Sequence, residues 1–302
     1  MFIDKGKLYV IDIEQNEDTM LEKLAGYFNQ EELADPFLKW SLDPTAENLY
    51  YRHGHEIVAS FLMYQFVLYP LVAPFLNRVI FGKHYTEKDE ADKVNFDIHT
   101  VSMIQSIVSC YLIWPLLWIP FGYNVITYYN SYASMVSSVS IGYFLWDLYV
   151  CLKYYRLFGI GFLFHAVAAL SVIGITLRPV CQAWVGRFLS FEASTPFVNI
   201  NWYIIQVSRG STKPVVPTWL NVLNGLLLIS VFFFVRLVWG FIAISILTYE
   251  MYQIWDQIPL YISAIILGIN ISLDFLNIHW FSKMIKIAKK MANGSKRVSK
   301  ID

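Results

Sequence analysis

The sequence predicts an all-α protein, a polytopic membrane helical bundle or barrel of about seven transmembrane helices, six at the least. Hydrophobic residues make up 56% of its 302 residues and mean hydropathy is +0.46, too little polar surface to clothe a soluble globule of this size. Several apolar runs exceed the roughly 18 residues needed to cross a bilayer. Lysine and arginine alternate from loop to loop, as they do when successive loops face opposite sides of a membrane.

The predicted spans are 57–80, 101–120, 132–152, 158–178, 180–206, 219–249 and 258–282. The fifth has the weakest hydropathy because Arg187, Glu192, Pro196, Asn199 and Asn201 fall inside it, and Pro196 removes a backbone donor. Basic residues mark one side: Lys83, Lys88 and Lys93, then Lys153 and Arg156, then Arg209 and Lys213, then seven in the tail from Lys283 to Lys300. The loops around Gly122–Ser131 and Glu250–Gln257 have none. Seven spans with the basic tail (286–302) in the cytosol place the N-terminus in a lumenal or exoplasmic space.

Residues 1–55 read as an acidic extramembrane segment, with twelve carboxylates against five basic residues up to Glu56, and 21–40 as one short amphipathic helix. His53 and His55, at i and i+2, do not share a helix face and read as interfacial residues. Cys110, Cys151 and Cys181 have no CxxC or Cys/His spacing, so neither a disulfide framework nor a metal site is predicted. The first span serves as the targeting signal, since no cleavable signal pattern precedes it.

Five ionisable residues fall inside spans: Asp147, His165, Glu192, Arg236 and Asp274. Each costs roughly 2.5–3.5 kcal/mol to insert and is a functional candidate by default. Counted at 1.5 Å per residue from the lumenal end of its own helix, each lies at roughly 18–24 Å, so the five share one layer. They are predicted to point into the bundle, with Arg236 the counter-ion of Glu192, Asp147 or Asp274. Asn270, Asp274 and Asn277 fall on one helix face.

Four stretches, SVSIGYFLWDLYV (Ser138–Val150), FLFHAVAAL (Phe162–Leu170), FEASTPFVNINW (Phe191–Trp202) and FFFVRLVWG (Phe232–Gly240), occur in an order that resembles the TLC-domain family, which includes the ceramide synthases. The resemblance covers about residues 55–285 and implies a TLC-type transmembrane domain over 56–285. It implies a helical barrel around a lipid- or acyl-chain-sized cavity, in the endoplasmic reticulum, with a role in lipid homeostasis. Ceramide synthases use two adjacent histidines in the span matching FLFHAVAAL to transfer an acyl group from coenzyme A to a sphingoid amine. Here position 164 is Phe and His165 stands alone, and Glu192 and Asn199 occur where the synthases have an HDxxD-type pattern. Both departures resemble the poorly characterised TLC-domain-containing branch.

The expected function is therefore lipid binding in a membrane cavity lined by Asn199, Trp202, Arg236, Asn270 and Asp274. An alternative is acyl transfer with His165 as base or nucleophile oriented by Glu192 or Asp147, and a third is an ion or proton pathway. Expected partners are a membrane lipid or an acyl chain and no nucleic acid, with oligomerisation left open. No cofactor is expected, acyl-CoA being the co-substrate of the enzymatic alternative.

Overall fold

Spanning a bilayer leaves the backbone no water to bond, so a chain of this hydropathy satisfies its N–H and C=O groups within helices. A computed structural model describes residues 33–298 apart from 179, 210 and 212–214, and every regular element among them is helical. The candidate amphipathic helix at 21–40 lies mostly outside the described residues.

Six helices are long and apolar enough to cross a membrane among the described residues. They are α1 (Gly54–Phe81), α2 (Glu90–Trp118), α3 (Ser131–Lys153), α4 (Tyr155–Ile175), α7 (Thr218–Gln253) and α8 (Leu260–Val298). Between α4 and α7 the fifth predicted span is broken into a 3₁₀ turn at Gln182–Trp184, α5 (Val185–Leu189), a second 3₁₀ turn at Ser190–Ser194, and α6 (Thr195–Ser208). Pro196 sits in the first turn of α6, where its missing N–H has no intrahelical partner to lose. It starts a helix instead of kinking one.

This broken segment still runs from one end of the bundle to the other. At its start the Cys181 N–H donates to the Val125 carbonyl (2.7 Å) in the loop joining α2 to α3. Near its finish Tyr203 packs on Phe81 at the close of α1, ring centroids 4.7 Å apart. Among the described residues the chain therefore traverses the bundle seven times, six as continuous helices. α1 begins at what we call the His53 end, and α8 leaves at the opposite, Lys83 end.

α3 is the central pillar. Two thirds (67%) of its most apolar window is buried, against 17–39% in the other five long helices. It packs mainly on α1 and α4. Contact with α1 depends on Gly142: a Cβ there would lie 2.5 Å from Ser60 Cβ and 2.6 Å from the Ile57 carbonyl, closer than any side chain tolerates. Asn130 caps α3 by accepting from the Ala133 N–H (2.9 Å), and Asp89 caps α2 through the Asp92 N–H (2.8 Å).

Two helices contain π-helical stretches, Tyr64–Val72 in α1 around Pro70 and Phe233–Val238 in α7 around Arg236. Pro70 has no N–H to give, which disrupts α-register bonding locally. Large apolar side chains such as Phe66, Leu71 and Val79 of α1, Phe234 and Phe241 of α7 and Phe275 of α8 remain exposed, the surface that lipid covers. The chain is a multi-pass membrane protein.

Candidate functional site

The π-helical turn around Arg236 widens α7 locally and carries this buried guanidinium toward the broken segment, as such turns often do at functional sites. Its Nε donates to Ser194 Oγ at 2.7 Å, with Thr195 Oγ1 at 3.3 Å and Asn277 Oδ1 at 3.5 Å from its terminal nitrogens. Glu192 Oε1 stands 4.0 Å away, so Glu192 is the counter-ion among the three carboxylates considered. Glu192 faces inward because the 3₁₀ turn at Ser190–Ser194 offsets it from the helices on either side.

Around this pair a cavity of about 50 Å³ is lined by His165, Glu192, Arg236, Asn270 and Asn277, with Phe144, Phe188 and Leu273 among its apolar walls. The His165 ring nitrogens receive no hydrogen bond from any described residue, and its ring lies 5.6 Å from that of Trp280. The Glu192 carboxylate likewise has only the long contact to Arg236. A cavity of this size takes a few waters or one small polar group.

The other sequence candidates lie elsewhere. Asp274, on the same helix face as Asn270 and Asn277, presses its carboxylate on α7: a Cβ on Gly240 would lie 2.7 Å from Asp274 Oδ1, so any side chain there would push the carboxylate aside. Asp147 is half-buried on α3 and within electrostatic reach of Glu192, but is not in the cavity wall. Asn199 and Trp202 belong to a separate cluster in which Asn199 Oδ1 accepts from His99 Nδ1 (2.7 Å) and Trp202 stacks on the His99 ring (3.9 Å, 18°). The sequence reading omitted His99 because it began the second span at residue 101, whereas α2 starts at Glu90. The signal available was a polar stripe of His99, Ser102, Ser106 and Ser109 at helical spacing.

A larger cavity of about 540 Å³ lies nearer the His53 end and shares no lining residue with the first. Its walls are apolar, from Ile141, Leu145, Leu170 and Ile265 among others, with Tyr50 and Arg178 also lining it. That volume is in the range of small-molecule sites.

Two further polar clusters escaped the sequence reading. One joins α1 to α2: Asn77 Nδ2 and Tyr85 Oη donate to Asp97 (2.8 and 3.0 Å), and Thr100 donates to Asn77 Oδ1 (2.8 Å). Tyr203 of α6 closes it by donating to Thr100 (2.6 Å). The other overturns the interfacial reading of His53, which is fully buried between Asp35 and Glu56, its Nδ1 3.2 and 3.0 Å from their carboxylates. Burial opposes charge on both Asp35 and His53. Hydrogen bonds from His53 and the Phe37 N–H nevertheless hold Asp35 below the usual carboxylate range, and the two carboxylates raise His53 above the usual imidazole value.

Comparison with known proteins agrees with the motifs. The TLC-domain profile matches residues 95–286. Topoisomerase I damage affected protein 4 of Saccharomyces cerevisiae is 49% identical over 271 residues, covering 89% of this chain and 96% of that protein. An uncharacterised TLC domain-containing protein of Schizosaccharomyces pombe is 34% identical over 253 residues, 82% of each chain. Human TLC domain-containing protein 4 is 28% identical over 171 residues, 53% of this chain and 59% of its own. No solved structure matches significantly. With six long apolar helices, a domain match spanning most of the chain and a yeast relative alike almost end to end, the chain belongs to the TLC-domain family.

Proposed function

We propose that this chain is a lipid-binding protein of the endoplasmic reticulum membrane, acting in lipid homeostasis, with its N-terminus lumenal and its basic tail cytosolic. The observation that carries the reading is that two unlike cavities both border α4 and α8. The larger is apolar and sized for an acyl chain. The smaller presents His165, Glu192 and Arg236, of which the first two have hydrogen-bonding capacity that no described residue uses. A membrane amphiphile offers an apolar chain for the larger cavity and a polar group of the kind the smaller one is built to meet.

The test is to purify the chain in mild detergent and identify copurified lipid by mass spectrometry, comparing it with Leu145→Trp and Ile265→Trp, which fill the larger cavity. A lipid recovered at roughly one per chain and lost from both variants is expected. A lipid profile identical in wild type and variants overturns the proposal.

The free ring of His165 also favours a second reading, acyl transfer from acyl-CoA to an amine or lysolipid. It ranks below binding because no carboxylate hydrogen-bonds His165, so the base lacks the orienting partner usual in such sites. Incubation with long-chain acyl-CoA and a panel of acceptors decides: a product formed by wild type and absent from His165→Ala makes the protein an enzyme.

A further inference from the structure

At the His53 end, outside both cavities, three buried ligand-type side chains converge from two parts of the chain. Asp35 comes from the segment before α1, while His53 and Glu56 lie on one face at i and i+3 where α1 begins. Their side chains are 0%, 0% and 2% exposed, and one donor atom from each lies within 4.8 Å of those of the other two.

The hydrogen bonding within this group does not close. His53 Nδ1 carries at most one proton, and its closer partner is Glu56 Oε2 at 3.0 Å. Asp35 Oδ2, aimed at the same nitrogen from 3.2 Å, and Glu56 Oε1 are both buried without a donor. Nor does the charge close. Two carboxylates face one imidazole, and no lysine or arginine among the described residues lies within 4.0 Å of either. The nearby Arg52 directs its guanidinium to the carbonyls of Ala46 and Thr45 and to the Tyr129 hydroxyl. His55 is held by the Phe37 carbonyl at 3.0 Å and comes only to 3.9 Å of Glu56 Oε1. With both carboxylates ionised, a proton on His53 leaves one negative charge over and a divalent cation leaves none.

The spacing suits such an ion. Donors bonded at about 2.0–2.1 Å to a tetrahedral centre lie about 3.3 Å apart, and the two distances from His53 Nδ1 are 3.2 and 3.0 Å. Asp35 is already oriented, because its Oδ1 accepts from the Phe37 N–H at 2.7 Å and its own N–H donates to Ser131 Oγ at the start of α3. Supports of this kind fix the orientation of metal ligands.

We infer that Asp35, His53 and Glu56 bind a divalent first-row transition cation of the zinc class through Asp35 Oδ2, His53 Nδ1 and Glu56 Oε2, with water as the fourth ligand. The ion clasps the segment before α1 to the ends of α1 and α3 at one end of the bundle. Its donor set of one imidazole and two carboxylates excludes the soft, thiolate-seeking ions.

The experiment uses the full-length chain in detergent, loaded with zinc, desalted and assayed for metal, beside the near-isosteric variants Asp35→Asn and Glu56→Gln. Roughly one zinc per chain in wild type, falling at least tenfold in each variant, is expected. X-ray absorption at the zinc edge of the wild-type protein keeps the proposal open to refutation even where a variant fails to fold. It should show nitrogen and oxygen neighbours at about 2.0–2.1 Å, whereas zinc captured by Cys110, Cys151 or Cys181 gives sulfur near about 2.3 Å. Sulfur neighbours, or zinc retention equal in wild type and both variants, overturns the site. Neither outcome bears on the lipid assay, which reads the two cavities.

Discussion

Two of the polar clusters, around Asp97 and around Arg236, differ in completeness. Around Asp97 each group has an answer: Asn77 and Tyr85 donate to the carboxylate, Thr100 donates to Asn77, and Tyr203 donates to Thr100. Around Arg236 the guanidinium is held, but among the described residues His165 has no hydrogen-bond partner and Glu192 only a contact at 4.0 Å. The first cluster ties α1, α2 and α6 together; the second borders a cavity. A charged residue within a span is thus not by itself a site. What distinguishes the two is the capacity left unused, because a buried polar group without a partner is costly unless something else supplies one.

The contrast is broken most sharply at Asp97. Asp97→Leu removes the shared acceptor and strands Asn77 Nδ2 and the Tyr85 hydroxyl, each such orphan being worth about 1–3 kcal/mol. Interhelical hydrogen bonds in membranes average about 0.6 kcal/mol, which pulls the expected total to about 2–4 kcal/mol. Thermal unfolding in detergent should show the loss with the copurified lipid otherwise retained in the folded fraction. A neutral effect means that the network around Asp97 is not structural. Arg236→Gln should cost less, about 1–2 kcal/mol, because an amide recovers part of the contact with Ser194. It should also lower lipid recovery by leaving Glu192 without its cation; unchanged recovery removes Arg236 from the site.

Much of this was legible in the sequence, and the exceptions have physical causes. The long apolar runs located six continuous helices because lipid demands length and hydropathy together. The fifth crossing was visible as a weakened span, yet not as two 3₁₀ turns and two short helices, since that break comes from Pro196 and from the inward turn of Glu192. Depth along a helix does not give direction. Asp274 turns to Gly240 while Asn270 and Asn277, on the same face, turn to the cavity. Asn199 and Trp202 meet His99, which lay outside the predicted span. His53 was missed because its partner Asp35 is 18 residues away across a turn, although the i, i+3 spacing of His53 and Glu56 was in plain view.

The subtlest prediction sets the two clusters against each other at one side chain. His165 lines the cavity, contacts Trp280 and bonds to nothing described, so His165→Leu removes no internal hydrogen bond and keeps an apolar side chain against Trp280. Stability should move by less than about 0.5 kcal/mol in either direction. A merely structural histidine behaves differently: its loss strands a partner, as the loss of Asp97 does. If the variant melts with wild type yet loses its lipid, His165 is held for a ligand. If it instead falls by as much as Asp97→Leu with lipid recovery intact, the difference between the open and the closed cluster disappears and the cavity is packing.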